Sequence, residues 1–187
     1  MTLLRRAATT SVPSLVQFLC LLVSWASGAA IGQWPPLIPA AVSFGLLAVP
    51  AAAIDSVEHR IPNQLSLPLA GAMTISLAGA AFVARDSVSG VRALVGALVW
   101  GGLLLMSFLL TGQPGPGDVK LAPSIGALLG WFGWPCVLGG LVTTYLLTAA
   151  VGVVGAAAGR YRLRDGHVPM GPPMVAAALI LSTLAQS

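Results

Sequence analysis

Charge is what this sequence has least of: nine Lys and Arg and five Asp and Glu in 187 residues, 7% of the chain, where soluble domains carry roughly a quarter. Hydrophobic residues make up 57% and the mean hydropathy is +0.91. So few polar side chains cannot cover a water-facing globule of 18.9 kDa, which excludes a soluble domain. Cysteine is nearly absent as well. Cys20 and Cys136 stand singly in apolar runs with no CxxC spacing, so they form neither a disulfide framework nor a zinc motif. Clusters of Lys and Arg with interleaved aromatics are missing too. The net charge of +4 and pI near 9.8 therefore point away from nucleic acid and toward orientation in a lipid bilayer. There is no internal repeat, and no connector is long enough for a soluble domain, so a single membrane domain over residues 1–187 is expected.

What the sequence does have is long apolar runs. A span needs about 20 apolar residues, with about 17 as a practical minimum. Counted on that basis, the charge-free runs predict an all-α polytopic membrane protein with about seven transmembrane helices. The first four are Leu15 to Ile31, Leu37 to Ile54, Leu65 to Ala84 and Ala93 to Leu110. Leu121 to Gly159 is 39 residues without a charge, too long for one crossing. Trp131-Phe132-Gly133-Trp134-Pro135 breaks it where interfacial Trp and a Pro belong, giving two helices. The first of these, Leu121 to about Trp131, must begin near Asp118 if it is to cross. The last span, about Met170 to Ala185, enters through Pro172-Pro173, which a first helical turn tolerates. Small-xxx-small spacings at Gly28/Gly32, Gly126/Gly130 and Gly155/Gly159 predict close helix packing.

A cytoplasmic amino terminus would leave Arg5, Arg6, Arg60, Lys120, Arg160, Arg162 and Arg164 inside and only Arg85 and Arg92 outside. That bias predicts a multi-pass plasma or inner-membrane protein in this orientation. Arg5-Arg6 ahead of an apolar segment also has the form of a cleaved signal peptide or, more weakly, a twin-arginine address. Positive-inside bias accounts for the pair without either.

The acidic residues are Asp55, Glu58, Asp86, Asp118 and Asp165. Asp55 closes the second expected helix directly after Ala51-Ala52-Ala53-Ile54. Asp118 stands in Gly115-Pro116-Gly117-Asp118-Val119-Lys120-Leu121, just ahead of the fifth. Two complete crossings lie between them, so both carboxylates are expected at the same face and the same depth. Two carboxylates close together in a partly dehydrated place cannot both ionise cheaply, and one keeps a proton. The ionised member can take a proton from water as it attacks a peptide carbonyl, while the protonated member hydrogen-bonds the carbonyl oxygen. The scheme needs no metal. Each Asp taken singly also fits a juxtamembrane residue, solvated or paired with Arg60 or Lys120. Gly115 and Gly117 are expected to supply backbone conformations closed to other residues and to let a substrate strand come close. Pro116 stiffens the same turn, although an ordinary interhelical turn uses the same residue types.

These segments resemble the prepilin peptidases, intramembrane aspartic proteases that process type IV pilins, archaeal flagellins and type II secretion pseudopilins. Asp55 followed by Arg60-Ile61-Pro62-Asn63 resembles the family's first aspartate segment, and Gly115 to Leu121 resembles its GxGD motif with the following Lys. Val168-Pro169-Met170-Gly171-Pro172 is similar to its late Pro-Phe-Gly-Pro element, with Met170 where Phe is frequent. The resemblance spans about Ile54 to Pro173. It implies a six-helix peptidase core over about 37–187, with the helix over about 15–31 as an addition. It further implies Asp55 and Asp118 as the catalytic pair, with Gly115, Gly117, Lys120, Arg60 and Asn63 supporting the loop or positioning substrate, and no cofactor or metal. The implied substrate is a preprotein with a short basic leader, cut after a Gly just before its hydrophobic helix, at the cytoplasmic rim. Many bacterial members also carry paired CxxC zinc motifs and methylate the new amino terminus with S-adenosylmethionine. Without CxxC, the expectation is peptidase activity alone, as in the short members associated with Flp/Tad pili.

Other readings expect different patterns. Glu58 and His59, at i+3 and i+4 from Asp55, could hold a metal with His167, but no HExxH occurs and Pro62 soon ends the helix, so a solvated loop is expected. Arg160, Arg162, Arg164 and His167 form a basic connector that topology or anionic headgroups explain. A transporter, channel or secretion-assembly subunit would use Asp55 and Asp118 for proton or cation handling. It expects ionisable residues in mid-span, and the charge-free runs contain none. A non-catalytic scaffold would be indifferent to both aspartates. The partners expected are therefore prepilin or pseudopilin preproteins and the lipid bilayer, not nucleic acid; no motif says whether the protein acts alone or as a dimer.

Overall fold

The computed structural model describes residues 35–58, 63–157 and 170–186, and the chain is helical throughout these apart from short turns. The expected helix over 15–31 and the basic connector Arg160 to His167 lie outside the described residues. Helix α1 runs from Pro35 to Glu58 through four consecutive segments: a 3-10 turn (Pro35–Leu37), an α segment (Ile38–Ser43), a π turn (Phe44–Ala48) and a second α segment (Val49–Glu58). The π turn has a local cause. Pro50 lacks the N–H that would bond to Leu46, and its ring would press on that carbonyl in a regular helix; widening the preceding turn relieves both. There follow α2 (Asn63–Ala84), α3 (Ser87–Thr111), α4 (Pro116–Phe132), α5 (Trp134–Ala157) and α6 (Gly171–Leu184).

Among the described residues, four helical stretches are long and apolar enough to cross a bilayer: Pro35–Asp55, Gln64–Ala84, Ser87–Thr111 and Trp134–Val154. Their outward faces carry large apolar side chains, among them Ile75 and Phe82 on α2, Leu98 and Leu109 on α3, and Leu146 and Val153 on α5. Water would not tolerate so much exposed apolar surface, whereas lipid requires it. The chain is a polytopic membrane protein. Helices α4 and α6 are shorter, at 17 and 14 residues, and bury much of their surface against the others. Helix α4 buries Leu121, Ile125, Leu128 and Leu129 and packs against α2, α3, α5 and α6.

Several boundaries move from their expected places. Helix α3 starts at Ser87 instead of Ala93, so the connector shrinks to Arg85 and Asp86. The Asp86 carboxylate caps it, accepting from the Ser89 amide at 3.0 Å and the Ser89 hydroxyl at 2.6 Å. These two donors hold its carboxyl below the ordinary value of 3.8. Arg92 thus lies inside the helix, donating through Nη2 to Ser89 Oγ at 2.6 Å and to the Trp131 carbonyl at 3.4 Å. Counting charge-free residues stops at Arg92, but a long cation within two turns of a helix end reaches polar partners without leaving the helix. Helix α1 likewise continues past Asp55 to Glu58, so Asp55 sits in its last described turn instead of closing it. Helix α4 begins at Pro116, in keeping with a start near Asp118, and the break before α5 falls at Gly133, whose φ of +123° favours glycine.

Helices α3 and α4 cross with their backbones in close approach. A methyl group added to Gly126 would run into the Gly96 carbonyl oxygen and lie 2.6 Å from Trp100 Cβ. One added to Gly96 would meet the Gly126 carbonyl, and one on Gly130 the Arg92 carbonyl. The Gly126/Gly130 spacing therefore does pack two helices, with Gly96 as the opposing partner that the spacing alone did not reveal. Gly28, Gly32 and Gly159 lie outside the described residues. Fully buried Trp100 ties the crossing to α5 by donating its indole N–H to the Val137 carbonyl at 3.2 Å.

Candidate active site

The segment ahead of Asp118 is held by its own backbone and hydroxyls. Helix α3 ends at Gly112, whose φ of +72° turns the chain, and its N–H bonds to the Phe108 carbonyl at 2.8 Å. Ser107 and Thr111 hydroxyls donate to the Gln113 carbonyl at 2.8 and 3.1 Å. Gly115 then serves as the N-cap of α4, its carbonyl accepting from the amides of Asp118 and Val119 at 3.1 and 3.3 Å, with Pro116 in the first turn where its missing N–H costs nothing. This puts Asp118 in the first turn of α4, on the side facing the interior.

Asp55 and Asp118 are each only 4% exposed. They come from helices far apart in the chain, yet their carboxylates are close enough for their charges to act on one another. Helix α6 packs against both the second α segment of α1 and α4. Its first residue, Gly171, donates its backbone N–H to Asp55 Oδ2 at 3.1 Å. Any side chain at 171 would intrude there: an added methyl would lie 2.8 Å from Asp55 Oδ2 and 3.2 Å from its Cβ and Cγ. Asp118 Oδ1 is buried without a hydrogen-bond partner.

The remaining expected residues fall as follows. Gly115 has φ −59° and ψ 156°, an extended conformation open to any residue, and Gly117 is helical within α4. The expectation that these two glycines supply unusual backbone angles is therefore corrected; the positive φ belongs to Gly112, which the motif does not include. Gly115 offers room instead, since a Cβ there would sit 3.6 Å from Asp118 Oδ2, an ordinary contact. Lys120 is exposed on α4, and Asn63 opens α2. Arg60, His59 and His167 lie outside the described residues, and no cluster of three His, Cys, Asp or Glu side chains suited to a metal occurs among the described ones. Gly171 is the residue that reading for reactive side chains misses. Its signal was the Met170-Gly171-Pro172 similarity, which named a motif without a role.

Fold and site together define a polytopic membrane protein with two buried carboxylates, within reach of one another's charge, inside an apolar helical bundle. The type IV leader peptidase family matches residues 41–158, a stretch that contains both aspartates, and the chain belongs to this family. A protein named prepilin leader peptidase/N-methyltransferase from Burkholderia pseudomallei (strain K96243) is 35% identical over 164 residues, covering 83% of this chain and 51% of the relative. One of the same name from Aeromonas hydrophila is 33% identical over 174 residues, covering 89% and 56%. A third, from Aeromonas salmonicida (strain A449), is 37% identical over 134 residues, covering 68% and 43%. The chain spans about half the length of the curated relatives it matches. No solved structure matches it.

Proposed function

We propose that this protein is a membrane-embedded aspartic endopeptidase that removes the short basic leader from type IV pilin-like preproteins, of Flp/Tad or pseudopilin type. The observation that carries the reading is the pair of buried, mutually interacting carboxylates of Asp55 and Asp118 in a chain of the leader peptidase family. In the reaction, one carboxylate takes a proton from water as its oxygen adds to the peptide carbonyl carbon. The other, protonated, hydrogen-bonds the carbonyl oxygen, and collapse of the tetrahedral adduct breaks the C–N bond with proton delivery to the leaving amine. The bond cut is the one after a Gly that precedes the preprotein's hydrophobic helix. A leader in the cytoplasm and an apolar helix in lipid would bring that bond to the cytoplasmic rim, the depth we assign to both aspartates. Gly115 leaves room beside Asp118 for an extended substrate strand, and Gly117, in the first turn of α4, would support the same segment. Lys120, Arg60 and Asn63 would support the loops or position substrate. Methyl transfer is not part of the reading, because the sequence has no CxxC motif.

Co-expression with a candidate prepilin tests the proposal, with leader removal followed by gel shift, amino-terminal sequencing and mass of the mature product. Wild type should cleave after Gly and leave an unmethylated amino terminus. Asp55→Asn and Asp118→Asn should each abolish cleavage while accumulating normally in the membrane. Cleavage surviving in either variant would end the two-aspartate mechanism.

A further inference from the structure

Asp55 and Asp118 are not equivalent in their surroundings. Asp55 Oδ2 accepts an amide N–H from a different helix, at the amino-terminal end of α6. An N–H can only donate, and it donates best to an anion, to which the partial positive charge of the helix end adds. Asp118 also lies in a first helical turn and faces the Gly115 amide. That amide nevertheless leaves Oδ1 buried with no partner. An ionised oxygen in that position is costly, whereas a protonated one gains a use as a donor. The three atoms nearest a methyl added at Gly171 all belong to Asp55, so it would press on that carboxylate first.

From this asymmetry we infer that the Gly171 amide is a positioning donor that divides the labour of the dyad. Asp55 is the ionised member that takes the proton from water, and Asp118 is the proton-bearing member whose hydroxyl meets the scissile carbonyl. The inference rests on the peptidase reading and adds a residue that acts through Asp55 without touching substrate. Among the described residues, α2 and α6 carry no titratable side chain, and α4 brings Asp118 and Lys120, so the Gly171 amide has no competing charge on its own helix.

The decisive variant replaces residue 171 by glycolic acid, which exchanges the N–H for an ester oxygen and adds no bulk. Expected are a fall in kcat of ~10-fold with KM for the prepilin unchanged, and an acid limb of the pH–rate profile displaced upward by about one pH unit. Gly171→Ala, which also displaces the carboxylate, should lose ~100-fold or more in kcat. A second readout does not depend on turnover. In infrared spectra of protein carrying 13C-labelled aspartate, the neutral-acid carbonyl band should persist in Asp55→Asn and vanish in Asp118→Asn. The opposite band pattern, or an ester variant with unchanged kcat and acid limb, overturns the assignment while wild-type cleavage leaves the peptidase reading standing. A wild type that cleaves no prepilin overturns the peptidase reading and the assignment with it.

Discussion

Replacing Gly126 by alanine is the most direct test of how this bundle is held together. The new methyl would collide with the Gly96 carbonyl oxygen and stand 2.6 Å from Trp100 Cβ. Carbon atoms rest about 3.5–4.0 Å apart, so α3 and α4 must separate by about 1 Å. The obstacles are a backbone carbonyl and the Cβ of a fully buried Trp, neither of which can swing aside. Overpacking of this kind costs about 1–3 kcal/mol, and the better helix propensity of alanine returns up to about 1 kcal/mol. The net is a destabilisation of about 1–2 kcal/mol, roughly a tenfold shift in the ratio of folded to unfolded protein. Gly102→Ala is the control, because nothing lies within 4 Å of the Cβ position there. The same substitution should then be neutral or stabilising by up to about 1 kcal/mol. Thermal unfolding of both purified variants in detergent measures the difference directly. Midpoints that move together, in the same direction and by the same amount, would refute the close-crossing argument.

Two further outcomes follow from other parts of the molecule. Leu98 lies midway along α3 and points outward, 66% exposed; Leu98→Asp should oppose membrane insertion by about 2.5–3.5 kcal/mol. Insertion scored with a glycosylation reporter checks this, and an unaffected inserted fraction would contradict the lipid-facing assignment. At the α3 N-cap, the Asp86 carboxyl is held below 3.8 by Ser89. Its stabilisation is therefore complete above pH 3.8 and is lost as pH falls through the lowered value. Asp86→Asn retains a capping oxygen that does not titrate, so the acid-side loss of thermal stability seen in the wild type should be smaller in the variant, by the same unfolding assay across pH.

Much of this architecture was legible from charge alone. The runs ending at Ala84, breaking at Gly133 and starting at Met170 all reappear as helix ends within a residue or two, because lipid forbids unsatisfied backbone and so ties helix length to apolar length. The two misplaced helix boundaries share one cause, the treatment of a charged residue as a boundary. Arg92 and Asp55 both stay inside their helices, one by reaching polar partners and the other by accepting a backbone amide from α6. Side-chain chemistry marked Asp55 and Asp118 as candidates. It could not mark Gly171, whose contribution is a main-chain N–H and the absence of a side chain. Gly96 was hidden for the same reason, since only the opposing helix reveals what it makes room for. The angles expected of Gly115 were wrong because proximity to an aspartate needs space, which is compatible with ordinary φ and ψ.

Helix α6 follows both aspartates in the chain and supplies the amide that meets Asp55. During synthesis, Asp55 and Asp118 leave the ribosome first, on helices that insert before α6 exists. A nascent chain interrupted anywhere before Gly171 thus carries both acids without the main-chain donor that meets one of them. Synthesis of α6 is therefore the step that brings this amide to Asp55, so the order of the chain sets the order in which the surroundings of the two acids are completed.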